Sequence, residues 1–458
     1  MIQELPNPFL GDNFAPISQE ITQDSLKISG QIPPQLQGTF VRNGPNPQFP
    51  PPGEYHWFDG DGMLHAVEIA AGKATYRNRF VKTQGFLREK AAGGAIYGGL
   101  GGNPQENPEN DYKNASNTAL VWHAEKLLSL WEGGQPYNIA LPNLDTLGIE
   151  TFNDELHLPF TAHPKVDPLT QEMMFISYRL MSAPFVHYGV VNPMGKIERI
   201  IPIEIPVGVM MHDFAITEHY TIILNLPLTF RLSRLAQGKP AFQFEAKTPS
   251  YWGILPRHGN TEDIRWFESD PCFVFHTLNA YEEGDEVVLI GCRMAATNVL
   301  GPADDPEIAA KGDIPLLTRW RFNLTDNSVK EETLDTIPSE FPRINEHYLG
   351  RKNRYGYTAK SVPGALPLFD GVIKYDFETG QSWHYNYGEN CYGGEVVFAA
   401  NPQGKTEDDG WLITFVYNQV QDTSELIILD AQSLESKAIA RIEIPQRVPY
   451  GFHGLWIG

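Results

Sequence analysis

Met173-Met174-Phe175-Ile176, Tyr220-Thr221-Ile222-Ile223 and Val287-Val288-Leu289-Ile290 are three short apolar runs, and each follows a histidine at a similar distance. His163 stands ten residues before the first run, His212 eight before the second and His276 eleven before the third. Runs of this length, rich in β-branched residues and bounded by turn signals, read as buried strands. Further runs at 127–131, 411–417 and 426–429 carry the same signature, and Gly284-Asp285-Glu286 and Asp408-Asp409-Gly410 supply turn residues ahead of two of the strands. No long amphipathic helix interrupts the pattern, so the expected fold is all-β and built of antiparallel hairpins.

A histidine at matching places in a repeated unit points at one axis. From His163 to His212 is 49 residues, from His212 to His276 is 64 and from His276 to His453 is 177, which corresponds to one blade-sized unit, one unit and about three. The spacing predicts a β-propeller of roughly six to eight blades running over 1–458 as a single domain. It leaves the number of blades open. Imidazoles converging without thiolate favour a borderline metal such as iron, copper or zinc over magnesium or calcium.

Composition narrows the function classes. The chain of 458 residues has a formal charge of −21, which excludes a nucleic-acid partner that needs a basic surface to displace counterions. Cys272, Cys292 and Cys391 form neither a metal-binding spacing nor an even disulfide set, and read as buried reduced thiols. The segment Met1 to Pro6 lacks a basic region followed by an apolar run, and no window reaches the length of a membrane span, so a cytoplasmic location is expected. No obligate protein partner is indicated.

The stretches 85–114, 227–262 and 297–315 interrupt the strand pattern and are expected to form a cap of loops and short helices over the metal face. Within the second, Leu228, Leu232 and Leu235 fall on one side of an expected short helix flanked by Arg231 and Arg234. Such a stripe reads first as packing inward. Its alternative is an apolar entrance in peripheral contact with a bilayer.

Five longer motifs carry a resemblance. Gly38-Thr39-Phe40-Val41-Arg42-Asn43-Gly44-Pro45-Asn46-Pro47, His56-Trp57-Phe58-Asp59-Gly60-Asp61-Gly62-Met63-Leu64-His65, Ala162-His163-Pro164-Lys165-Val166-Asp167-Pro168, Met211-His212-Asp213-Phe214 and Gly451-Phe452-His453-Gly454 are similar to the carotenoid cleavage oxygenase family over nearly the whole chain. The resemblance implies a seven-bladed propeller with an axial ferrous ion, Fe(II), held by His163, His212, His276 and His453, and with O2 as co-substrate. It implies that Glu132, Glu340 and Glu395 orient those imidazoles, as carboxylates do for ligating histidines generally. Thr118, in Asn117-Thr118-Ala119, matches the threonine whose methyl crowds one open iron position; simple strand packing is nearly as good a reading. The implied reaction is cleavage of a conjugated C=C bond of a hydrophobic polyene into two carbonyl products.

Two branches of the family are separated by single positions. Stilbene-cleaving members carry a lysine just before the glutamate at the Glu132 position, and this chain has Trp131 there. Arg79-Phe80-Val81-Lys82-Thr83-Gln84-Gly85-Phe86-Leu87 is similar to bacterial apocarotenoid-cleaving members, so an apocarotenoid or carotenoid and a retinal-like product are expected, with a lignostilbene-type activity as the alternative. A non-catalytic binding platform would have no use for four axial histidines with placed glutamates. A zinc hydrolase would use three protein ligands and a water. The turn Asp59-Gly60-Asp61-Gly62 lacks the later ligands of a calcium loop, and the remaining histidines are expected on the surface or in ordinary hydrogen bonds.

Overall fold

The computed structural model describes residues 7–100, 102, 104–435 and 437–458; the expectation drawn from Met1 to Pro6 lies outside these. Among the described residues the strands form seven antiparallel sheets of four to six strands and one two-stranded ribbon, the architecture of a seven-bladed β-propeller. The chain divides into two compact units, one of Met1–Asn153, Leu368–Val372 and Trp383–Gly458, the other of Asp154–Pro367 and Ile373–Ser382.

In the second unit, strands Lys165–Val166, Met173–Tyr178, Val186–Val191 and Ile197–Ile203 pair in chain order as one meander. The next sheet runs Ala215–Ile216, Tyr220–Asn225, Ser250–Pro256 and Arg265–Ser269, and the one after it Phe273–Glu283, Glu286–Met294, Leu316–Asn323 and Val329–Thr333. Middle strands such as Met173–Tyr178 are buried on both faces because each sheet packs against its neighbours, which explains their unbroken apolar sequence. Trp252 and Trp320, from adjacent sheets, meet with ring centroids 4.9 Å apart in one such layer. The outermost strand Val329–Thr333 is exposed and carries Lys330, Glu331 and Glu332, charges that discourage pairing with another edge. Ser339–Arg343 and Tyr355–Ser361 pair in a further sheet.

In the first unit, Ala119–His123, Lys126–Leu130, Tyr137–Ala140 and Asp145–Ile149 form a meander, and two sheets combine segments distant in sequence. Gly38–Arg42 pairs on one side with Met63–Ala70 and on the other with Gly454–Ile457, so the strand that follows His453 is clamped into the sheet begun near residue 38. Ile28–Gly30 likewise pairs with Ala440–Ile444. All six runs read as strands from the sequence are strands, with ends that differ by up to four residues, as where Val287–Ile290 continues to Met294.

The insertions depart from expectation in two places. Leu228 is not on a helix: Leu228–Phe230 is a strand paired with Phe242–Phe244, and Leu228 is buried in the core. The 3-10 helix starts only at Leu232 and ends at Gln237, leaving Leu232 and Leu235 at 48% and 56% exposure. Cross-strand hydrogen bonds, available only once residues 242–244 return, override the local helical spacing. The stretch 227–262 is also not all insertion, because Ser250–Pro256 is a sheet strand. The first insertion holds helix α1 (Gln84–Ala92), capped by Thr83, and the third holds the short α2 (Pro306–Ala309). Among the described residues no helix is long and apolar enough to cross a membrane.

Candidate metal centre

His163 and His212 occupy irregular segments just ahead of the short strands Lys165–Val166 and Ala215–Ile216, while His276 lies inside Phe273–Glu283 where the register shifts between Val274 and Thr277. That bulge turns the His276 side chain out of the regular alternation. The three rings meet: Nε2 of His212 is 3.0 Å from Nε2 of His163 and 3.2 Å from Nε2 of His276. Ring centroids are 4.6 to 5.1 Å apart. His212 and His276 are buried.

Two neighbouring residues lock this geometry. Asp213 accepts the Thr277 backbone N–H and the Thr277 hydroxyl on Oδ2, both at 2.8 Å, and the ammonium of Lys165 on Oδ1 at 2.7 Å. The residues next to His163, His212 and His276 in sequence, or two beyond, are thereby tied to one carboxylate. Burial alone would raise the Asp213 carboxyl, but Lys165 beside it and the Thr277 donor hold it below the ordinary value. The sequence reading quoted Asp213 inside a motif without giving it this task; its partner Thr277 is 64 residues away.

His276 Nδ1 is 2.6 Å from Glu340 Oε2. Glu340 is an acceptor, so the Nδ1 carries the proton and the Nε2 lone pair faces His212. The same Glu340 oxygen accepts the N–H of Phe341, whose ring stacks on His276 at 5.3 Å, while Oε1 is buried without a partner.

His453, in the first unit, repeats the arrangement. Its Nδ1 is 3.0 Å from Glu395 Oε1, and the other carboxylate oxygen accepts the Gly454 N–H at 2.7 Å. The His453 backbone N–H donates to the carbonyl of Thr118 at 3.2 Å, which joins the two backbones. The Thr118 hydroxyl itself donates to Asn117 Oδ1. Glu132 is half-buried, two residues past the strand Lys126–Leu130.

The donor chemistry fits a divalent transition metal. Two nitrogens bound at right angles to one such ion at about 2.1 Å lie about 3.0 Å apart, the spacing that His163, His212 and His276 show. Neutral imidazole is a borderline donor suited to iron, copper, zinc or nickel. Of the other histidines, His56 Nδ1 caps the turn Trp57–Asp59, His65 pairs with the Tyr76 hydroxyl and His219 with Glu282, whereas His187 departs from expectation with its Nδ1 buried and unpartnered among the described residues. Asp59 and Asp61 accept protein donors on all four of their oxygens, as a structural turn would.

A family profile described as retinal pigment epithelial membrane protein matches residues 14–458. The "Carotenoid 9,10(9′,10′)-cleavage dioxygenase 1" of Pisum sativum is 39% identical, over 99% of this chain and 90% of the relative. The chain belongs to the carotenoid cleavage oxygenase family. A "Carotenoid cleavage oxygenase" of Mycobacterium tuberculosis is 35% identical, over 99% of this chain and 98% of that one. Among solved structures, the lignostilbene dioxygenase of Pseudomonas brassicacearum superposes with a TM-score of 0.92 at 31% identity, covering 99% of this chain and 98% of its own. A cobalt-substituted Synechocystis ACO superposes with a TM-score of 0.85 at 30% identity, covering 96% and 97%. As a carotenoid cleavage oxygenase the chain is an O2-using enzyme, and its histidine cluster is compatible with a metal site.

Proposed function

We propose that His163, His212, His276 and His453 together hold a ferrous ion, and that this oxygenase splits a conjugated C=C bond of a carotenoid or apocarotenoid with O2 into two carbonyl products. The observation that carries the reading is the donor set: Nε2 of His212 lies 3.0 Å from that of His163 and 3.2 Å from that of His276, and His453 repeats the carboxylate-backed arrangement of His276. Glu340 and Glu395 fix the tautomers of two of them, and we assign the same orienting task to Glu132. When bound, the ferrous ion supplies O2 activation with its positive charge undiminished by any ligating carboxylate.

The rest of the work falls to the chain's own residues. Phe275 meets His212 edge-on at 5.5 Å and Phe341 stacks on His276, so apolar rings shield the imidazoles from water. Such faces suit a polyene, which offers no charge to hold, and stabilise positive character developing along it. We assign to Thr118, whose carbonyl accepts the His453 backbone N–H, the task of crowding one open iron position with its methyl.

Two bonds compete. The likeness of Arg79 to Leu87 to bacterial apocarotenoid-cleaving members supports a central bond and a retinal-like aldehyde, whereas the names of the Pisum sativum and Crocus sativus relatives support the 9,10(9′,10′) bond. Cleavage between two unsubstituted carbons yields two aldehydes; cleavage at a methyl-bearing carbon yields an aldehyde and a ketone. A stilbene reading is favoured by the Pseudomonas brassicacearum structure, but Trp131 stands where a phenol-binding lysine is expected and the nearby Lys113 is committed to Asp61 and Glu89. The test is anaerobic purification with iron quantification, then O2 with a carotenoid, apocarotenals and a hydroxystilbene, products identified by mass. Iron near one per chain with paired carbonyls from a polyene supports the reading and identifies the bond. No iron, or cleavage of the stilbene alone, overturns it.

The exposed Leu232 and Leu235 support contact of this segment with a bilayer. Leu232→Glu is expected to reduce co-sedimentation with liposomes while leaving turnover of detergent-solubilised substrate unchanged; unaltered sedimentation removes the support.

A further inference from the structure

The segments that carry three of the proposed ligands are weakly fixed by their own sheets. His163 and His212 stand in irregular backbone ahead of strands of only two residues, Lys165–Val166 and Ala215–Ile216. His276 sits where the pairing of Phe273–Glu283 with Glu286–Met294 shifts register between Val274 and Thr277. A ladder dictates where a side chain points only while its pairing is regular. As ligands, the three imidazoles also resist the arrangement they adopt, because lone pairs on Nε2 atoms 3.0 and 3.2 Å apart repel until a cation neutralises them. Their convergence has to be imposed by something other than the strands.

Asp213 is where the three segments meet. It directly follows His212; its Oδ2 accepts the N–H and the hydroxyl of Thr277, which follows His276, and its Oδ1 accepts the ammonium of Lys165, two residues past His163. Oδ1 takes the N–H of Phe214 as well, at 2.8 Å. Four donors thus converge on one buried side chain. Only an ionised carboxylate can accept on both oxygens without presenting a donor of its own. Asparagine cannot copy it: in either orientation its NH2 faces donors, those of Thr277 on one side or Lys165 and the Phe214 N–H on the other. Hydrogen bonds to an ion are among the stronger ones, and burial keeps competing water away. Lys165 meanwhile offsets the carboxylate charge, so what Asp213 contributes to the site is placement.

We infer that Asp213 is a positioning residue for the metal: by fastening the segments of His163, His212 and His276 to one another, it preassembles three of the four proposed donors and so sets the affinity of the site. The inference rests on the metal centre proposed above and deepens it. Its action differs from that of the glutamates. Glu340 and Glu395 each orient a single ring through Nδ1, whereas the bonds of Asp213 reach no ring and space three stretches of chain instead. A site whose donors are held in place by such a second layer binds more tightly, because the ion does not have to gather them.

The experiment titrates Co(II) without O2 into the full chain, stripped of metal by a chelator, and reads the dissociation constant and the visible bands that report the arrangement of ligands around the ion. The variants are Asp213→Asn, Lys165→Met and Thr277→Val, the last deleting the hydroxyl donor and keeping the N–H. Asp376→Asn is the control, since Asp376 is an equally buried carboxylate but holds Arg354 and its own turn. Asp213→Asn should weaken Co(II) about 10–100-fold and shift its bands. Lys165→Met and Thr277→Val, which each cut one tie, should cost about three- to tenfold. Asp376→Asn should lower the thermal midpoint of the metal-free chain and leave affinity and bands unchanged. Wild-type affinity in Asp213→Asn, or a loss matched by Asp376→Asn, overturns the inference. If Asp213→Asn does not fold, the two single-tie variants decide, and unchanged affinity in both overturns it. A wild-type chain that takes up no Co(II) refutes the metal centre and this inference with it. Affinity that depends on Asp213, in a chain that cleaves no polyene, upholds the inference and refutes the proposed reaction instead.

Discussion

His276 with Glu340 and His453 with Glu395 are the same chemical pair built twice, and they are anchored unequally. Glu395 uses both oxygens, one for the imidazole Nδ1 and one for the Gly454 N–H. Glu340 gathers the imidazole and the Phe341 N–H on one oxygen and leaves the other buried without a partner. The difference arises in the backbone. Glu395 reaches a histidine at the head of a regular strand, whereas Glu340 sits at a register shift, followed by Phe341 with φ of +52°, a left-handed conformation unusual for a side chain of that size. A carboxylate can therefore orient a ligand either as a two-point clamp or as a single shared acceptor.

Removing a ligand should outweigh any change in its support. His276→Ala is expected to lower iron content and turnover by more than about a hundredfold, since even an orienting partner is worth 10–100-fold, with the fold retained because the ring meets the other imidazoles and Phe341 rather than the apolar core of a sheet. Iron per chain, turnover and circular dichroism measure this; wild-type activity would remove His276 from the ligand set. Next in size comes Glu395→Gln. An amide presents one oxygen and one NH2 to two donors, so one of its two hydrogen bonds becomes a repulsion, and turnover should fall about 10–100-fold. Stability should fall by about 1–3 kcal/mol with it, read from a denaturation midpoint.

Glu340→Gln sharpens the contrast. Its oxygen can keep both donors and its NH2 can take the unpartnered position, so the loss should stay below about tenfold. A larger loss than in Glu395→Gln would show that charge, not hydrogen-bond geometry, is what the two carboxylates contribute. Thr118→Ala should be smallest: the Thr118 carbonyl that anchors His453 survives, so iron content stays the same and stability falls by about 1 kcal/mol from the lost hydroxyl bond to Asn117. Loss of iron in this variant would mean that the side chain, not the backbone, positions His453.

The blades were legible where consecutive strands build them, so that turn residues and apolar runs define them; the pairings of Gly38–Arg42 with Gly454–Ile457 and of Ile28–Gly30 with Ala440–Ile444 join distant segments and left no local signal. His163, His212 and His276 were legible because each begins or bends the first strand of a repeat, and His453 through the resemblance carried by Gly451-Phe452-His453-Gly454. Asp213 was not, since its meaning depends on Thr277, and neither residue signals the other locally. Leu228 failed for the opposite reason. Its spacing with Leu232 and Leu235 is helical, but the hydrogen bonds that decide its conformation come from Phe242–Phe244.

The segment that runs from Tyr97 to Lys113, and lines a pocket together with Phe58 and Trp131, is fastened to the first blade through Lys113 on Asp61 and the Leu100 N–H on Asp59, with Gly99 small enough to lie against that carboxylate. Neither fastening uses a histidine or its glutamate. Residues between these anchors can therefore drift under selection while the reaction is inherited intact, so descendants of one ancestral enzyme can diverge in diet, accepting new polyenes, without passing through an inactive intermediate.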